Sequence, residues 1–204
     1  MEIISKHGKI LFESPSEPGL GCRFKELVEE AVSRGVDLTD ADLRGHDLSY
    51  ANLAGAHLHG ALMSECILDE AVLDGARLNG AALKKASLKS AQLSEASLLW
   101  CDLSQSNLNK ADLSGALLQG ANLQGASLQK TDLSGANLYG AHLSGANLMW
   151  ANLCGVDLSS ADLSACDLYG AFMDMQAVLR TNFRSVNLQN TLLTNTLLQL
   201  SLPV

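Results

Sequence analysis

Few side chains in this 204-residue sequence are spaced for chemistry. His57 and His59 flank Leu58, so both imidazoles point outward on one side, close enough to share a metal ion. A tetrahedral site needs more ligands, and no third one accompanies them. Serines are abundant, yet none sits in a GxSxG elbow or beside a histidine with a carboxylate partner, the arrangement that activates a hydroxyl. Lys84, Lys85 and Lys89 form a basic cluster, but Glu65, Asp69, Glu70 and Asp74 precede it, and a solvated ion-pair patch explains the cluster better than a phosphate site. The five cysteines, Cys22, Cys66, Cys101, Cys154 and Cys166, are odd in number and contain no CxxC pair, so neither a disulfide framework nor a zinc ribbon is indicated. The sequence predicts no catalytic, metal or cofactor residues, and the chain reads as a non-enzyme.

Charge narrows the partners. The formal net charge is -8, and after residue 35 there remain 16 acids and nine bases, so the acidity belongs to the long C-terminal part. A general nucleic-acid binder needs a basic stripe to displace counterions from phosphate, and direct nucleic-acid binding is not expected. No 18-residue apolar run occurs and the first twelve residues mix Glu2, Lys6, His7 and Lys9 into their apolar positions, which predicts neither a membrane span nor a signal peptide. Cysteines without a pairing pattern point to a reducing compartment. The expectation is a cytoplasmic protein.

What must position any functional side chain is a repeat. From Leu38 to Leu198 every fifth residue is apolar, 33 positions of which only Met63, Met173, Val178 and Phe183 are not leucine. Two residues before each stands a small one, Ala41, Ala51, Ala56 and so on, commonly with Asp or Asn between, as in Ala41-Asp42-Leu43 and Ala121-Asn122-Leu123. The unit is A(D/N)Lxx. A period of five fits neither a helix nor a flat strand, so each repeat is itself a structural step and the tandem array a solenoid. Leucine and alanine face inward, each buried leucine contributing about 1.5 to 3 kcal/mol. Asp and Asn hydrogen-bond the backbone at turns. The inward row tolerates Cys66, Cys101 and Cys166 as small core fillers.

Ahead of the array, residues 9–13 predict a short strand and Ser14-Pro15 to Pro18-Gly19 a loop. From 23 to 34, Phe24, Leu27, Val28, Ala31 and Val32 fall at i, i+3, i+4, i+7 and i+8, the stripe of an amphipathic helix that Gly35 stops. Such a helix before a solenoid predicts a lid on its first apolar edge. The chain divides into 1–35, strand, loop and capping helix, and 36–204, the solenoid.

In this pattern, unbroken over 165 residues, the sequence resembles the pentapeptide-repeat family. The resemblance implies an all-β fold, a right-handed quadrilateral β-helix of about eight coils, four pentads to a coil, so that residues 20 apart stack at about 4.8 Å. Within that register His46 and Cys66 stack in the inward row as core packing. The best-understood members protect type II topoisomerases such as DNA gyrase by imitating DNA, and others have no assigned activity. Projecting loops, a C-terminal dimerising helix and frequent phenylalanine mark the protecting branch. Here the frame is unbroken and leucine fills the centre. About 38 Å of B-DNA carries about 22 phosphate charges, far more than the array's net charge. The expectation is a non-enzymatic protein-interaction module with an unknown protein partner, the alternative a DNA mimic acting on topoisomerase in inhibitor resistance or regulation.

The same register gathers Leu99, Trp100, Leu117 and Tyr139 on one side over three coils. Trp and Tyr are enriched at interface hot spots, which makes these a candidate partner-binding patch. The competing expectation is local packing, with the indole flat in the groove left by Gly120 and Gly140. Met149, Trp150 and Tyr169 form a second candidate on another face, where Lys130 could supply a cation–π contact to the indole. At the C-terminal end Leu192, Leu197, Leu200 and Leu202 present apolar surface on a coil without a covering helix, which predicts a homodimer interface.

Overall fold

The structure, a computed structural model, describes residues 1–13, 24–174, 177, 178, 181 and 192–193. Its first elements are β1 (Glu2–Ile4), β2 (Ile10–Glu13) and α1 (Phe24–Ser33). The strand expected over 9–13 is β2, and it pairs antiparallel with β1, Ile3 opposite Phe12. Sequence reasoning did not find β1, because Glu2 and Lys6 interrupt any apolar alternation. The helix lies within a residue of its expected bounds. It ends in a Schellman motif, with Val36 N–H on the Ala31 carbonyl at 3.0 Å, Gly35 N–H on Val32 at 2.9 Å and Gly35 at φ +68°, the left-handed conformation that glycine adopts most readily.

From residue 37 the chain climbs in coils. After each inward leucine it turns: the leucine carbonyl accepts the N–H three residues on, as from Ala51 to Leu48 at 3.0 Å. The third residue of each described turn takes φ between +54° and +72°, the positive angle that a type II turn needs there. Between turns lie pieces of parallel ladder with a 20-residue register, Asp42 bridging Leu62, Leu62 bridging Ala82, and likewise in three further columns. Leu43 N–H reaches the Leu62 carbonyl at 2.8 Å, and Leu62 N–H returns to Ala41 at 2.8 Å. Where these pieces lengthen they form a parallel sheet of β3 (Asn152–Leu153), β4 (Phe172–Met173) and β5 (Leu192–Leu193). Four turns per 20 residues make the cross-section four-sided.

The interior is the leucine and alanine rows. Each inward position from Leu38 to Met173 except His46 is buried, and Ile3, Leu27, Val28 and Ala31 share one apolar cluster with the first coil. Hairpin and helix also satisfy its edge: Asp42 N–H donates to the Ile4 carbonyl at 2.8 Å, and Asn52 N–H to Glu29 Oε1 at 2.8 Å.

Polar residues of the array serve its turns. Asp47 Oδ1 accepts the Ser49 N–H at 3.0 Å, and Asp112, Asp132 and Asp162 do the same two residues on. At four positions that are not Asp or Asn, Ser87, Gln92, Ser97 and Ser127, a residue one coil earlier takes over. Asp69, Asp74, Asn79 and Asn109 accept the N–H of Lys89, Ser94, Leu99 and Gln129. Much of the acidity is thereby committed to the backbone.

Candidate interaction surface

The inward cysteines are more than fillers. Cys66, Cys101 and Cys166 each donate S–H to a leucine carbonyl of the coil before, Leu43, Leu78 and Leu143, at 2.7, 2.7 and 2.9 Å, and Thr131 does so through its hydroxyl to Leu108 at 2.8 Å. Burial pushes the thiols up, to about 11 for Cys66 and Cys166 and about 12 for Cys101, so none is a nucleophile near neutrality. His46 departs from expectation. An imidazole does not fit the slot that alanine or cysteine fills, and the half-buried ring leaves the inward row to stack on Phe24 of α1, centroids 3.7 Å apart at 16°. Partial burial lowers its pKa.

Beside that stack lies an open cleft of about 580 Å³ between β1, α1 and the first coil, lined by Glu2, Ile4, Phe24, Asp42, Arg44 and His46. Its strongest charges face each other, Arg44 gripping Asp42 through Nε at 2.8 Å and Nη2 at 2.6 Å, which holds the carboxyl below its ordinary range. His57 and His59 have a neighbour that sequence reasoning missed: Asp37, one coil before His57, feels both imidazoles. Its Oδ1 is occupied by the Thr39 N–H and hydroxyl at 3.0 and 2.7 Å, and among the described residues no group of side chains is arranged to hold a metal. The basic cluster is looser than a paired patch. Lys89 reaches Asp69 at 3.9 Å, while Asp69 is held by the Ser87 hydroxyl at 2.5 Å and Glu70 by the Tyr50 hydroxyl at 3.2 Å.

The predicted apolar patch is brought together by the register. Trp100 is 73% exposed, Tyr139 54% and Leu117 40%, on the side where Ser97 bridges Leu117 and Leu117 bridges Asn137. Leu99 is half-buried, its N–H tied to Asn79 Oδ1 at 3.1 Å, and belongs to the base of the patch. The indole of Trp100 lies over Gly120, where any Cβ would run into the ring. One face is thus covered by the chain's own backbone and the other is open. Between Leu99 and Tyr139 in their column, Gln119 carries a buried Oε1 with no hydrogen-bond partner.

Trp150 repeats the arrangement at the opposite corner of the solenoid, half a coil round. Its ring covers Gly170 and meets Tyr169 edge-on, 5.5 Å between centroids at 80°. Sequence reasoning gave the internal contact to Lys130, but the next coil supplies it, because glycine at 170 leaves room for the ring. The cation–π contact found among the described residues is Arg34 over Phe12 at 5.6 Å. Met149 and Tyr169 are half-buried beside Trp150. Of the predicted C-terminal interface, Leu192 is placed in β5 beside Phe172, while Leu197, Leu200 and Leu202, like Cys22, lie outside the described residues.

The family model for pentapeptide repeats matches this chain in eight copies, over residues 34–69, 66–105, 96–135 and 131–170. The chain belongs to the pentapeptide-repeat family. Its four-sided solenoid is that family's right-handed quadrilateral β-helix. Among solved structures it is similar to HetL, a pentapeptide repeat protein involved in heterocyst differentiation regulation from the cyanobacterium Nostoc sp. strain PCC 7120, at 29% identity over 80% of this chain and 92% of that one, with a TM-score of 0.41. A trypsin-treated variant of QnrB1, a plasmid-mediated fluoroquinolone resistance protein, is 22% identical over 78% of this chain and 84% of its own, with a TM-score of 0.32. The pentapeptide repeat protein alr5209, also from Nostoc, is 34% identical over 50% of this chain and 83% of its own, with a TM-score of 0.29. No curated protein matches the chain. No helix among the described residues is long and apolar enough to cross a membrane.

Proposed function

We propose that this pentapeptide-repeat chain is a non-enzymatic protein-interaction module, a rod of about eight coils (36–204) closed at one end by the hairpin and helix of residues 1–35. The observation that carries this reading is Trp100, whose 73% exposure leaves an indole face open above Leu99, Leu117 and Tyr139. The unpartnered Gln119 Oε1 beneath it supports the same patch, since a buried acceptor without a donor is costly. Trp150 with Met149 and Tyr169 is a second contact area on the same rod. The module acts in the cytoplasm, outside membranes and without touching nucleic acid directly. Affinity capture of binding proteins by wild type and Trp100→Ala, with melting temperatures measured beside it, tests the patch. Lost capture at unchanged melting temperature supports it; lost stability with capture intact leaves the indole a purely local packing group.

A homodimer through Leu192, Leu197, Leu200 and Leu202 belongs to the same proposal. Light scattering over a range of concentrations is expected to show twice the monomer mass, and a monomer throughout rejects it. The rival reading, a DNA mimic acting on gyrase, draws on the acid excess of the array. Against it, the carboxylates of Asp47, Asp112, Asp132 and Asp162 are tied to turn amides instead of standing free like phosphates. A supercoiling assay with and without a fluoroquinolone separates the two: protection of gyrase favours mimicry, and no effect favours the module.

A further inference from the structure

Across two consecutive coils, residues 106–145, three of the four corners are glycine: Gly115, Gly120 and Gly125, then Gly135, Gly140 and Gly145, all at positive φ. Glycine is the residue that left-handed turn position favours, because every Cβ is disfavoured there. The fourth corner breaks the rule with bulk and charge. It carries Lys110 (φ 62°) and Lys130 (φ 59°), and one coil further Trp150 (φ 61°). The three are stacked by the ladder, Lys110 N–H on Gln129 O and Lys130 N–H on Met149 O, each at 2.9 Å.

Both lysines are exposed, and among the described residues neither is in an ion pair. Like charges one coil apart, about 4.8 Å, repel, so this pair gains from an anion that the fold itself does not supply. Trp150 is 43% exposed, fixed from behind by Gly170 and Tyr169. Charge and aromatic surface therefore lie in one line. Lys110 to Trp150 spans two coil steps, about 10 Å, the reach of about three residues of extended chain.

Resting on the reading of this chain as an interaction module, we infer that this corner docks a short acidic segment of another protein, extended along the rod, with carboxylates on Lys110 and Lys130 and an apolar side chain over Trp150. A nucleic acid fits worse: two lysines neutralise few phosphates, and a chain of net charge -8 repels the rest.

The test is selection of a random twelve-residue peptide library displayed on phage against the full-length protein, followed by fluorescence anisotropy of the enriched peptide. Expected sequences carry two or more acidic residues with an aromatic or aliphatic residue within about three positions. Binding is expected to weaken about tenfold or more in Lys110→Glu/Lys130→Glu, to weaken in Trp150→Ala, and to fall between about 50 and about 500 mM salt. If charge reversal lowers the melting temperature, Lys110→Gly/Lys130→Gly, which restores the default turn residue, takes its place. Enriched peptides without acidic excess, equal affinity for wild type and the double variant, or displacement by an equimolar twelve-nucleotide thymidine oligomer overturns the inference. An enriched peptide indifferent to the double variant rejects this corner and leaves the module standing, whereas no enrichment at all rejects both.

Discussion

A thiol that replaces alanine inside a narrow solenoid exchanges a methyl contact for a hydrogen bond to a leucine carbonyl of the neighbouring coil. The burial that holds Cys66 and Cys166 at about 11 and Cys101 at about 12 sets a pH window. These thiols keep their protons in the fold while the unfolded chain loses them above the ordinary cysteine value of 9.0, so the unfolded state binds fewer protons and stability declines between about pH 9 and pH 12. The melting temperature is expected to fall in that range, and to fall less in Cys101→Ala. Iodoacetamide at pH 8 followed by peptide mapping is expected to spare Cys66, Cys101 and Cys166 and to label the half-buried Cys154. The leucine row is less forgiving. Leu123→Lys places an ammonium in a position 1% exposed with no partner, at a cost of several kcal/mol, and is expected to unfold or aggregate; a soluble variant with unchanged melting temperature contradicts the interior assignment.

At the scale of elements, the helix is joined to the array by more than apolar contact. Glu29 accepts the Asn52 N–H, an amide of the first coil whose counterparts in later coils donate to the coil before, as Val72 does to Ala51. Glu29→Ala is expected to cost about 1 kcal/mol, seen as a lower melting temperature and faster hydrogen exchange at Asn52, with Glu29→Gln keeping most of both. Helix, turn spacing and inward rows were legible in the sequence because period, Gly35 and small residues each reflect a local steric rule. Of the hairpin, β2 was legible and β1 was not, since Glu2 and Lys6 interrupt any apolar alternation there. His46 was misplaced by the same rule that placed Cys66: the register gives a column, but side-chain volume decides whether a residue enters it. The placing of Leu117, Tyr139 and Trp100 in neighbouring columns of one side was legible from the register, and the half-burial of Leu99 was not, because it depends on neighbours one coil away. Lys110 and Lys130 stand out only when the glycines at the other corners are read as a background.

For the molecule as a whole, the core counts in fives and the surface counts in twenties. Removing residues 131–135 deletes one inward pair and preserves every inward position after it, so the shortened chain is expected to remain a folded solenoid with a melting temperature close to wild type. Yet everything beyond the cut rotates by a quarter turn about the axis, which carries Trp150 away from the column of Lys110 and Lys130. Circular dichroism with binding of the selected acidic peptide checks both halves: retained structure and lost binding are expected, while lost structure shows that neighbouring coils are matched more specifically than their shared inward rows require. The arrangement behaves like a combination lock of stacked dials. A slip of one pentad leaves each dial intact and changes the number it displays, so duplication or loss of five residues offers this fold a way to compose new surfaces without rebuilding its interior.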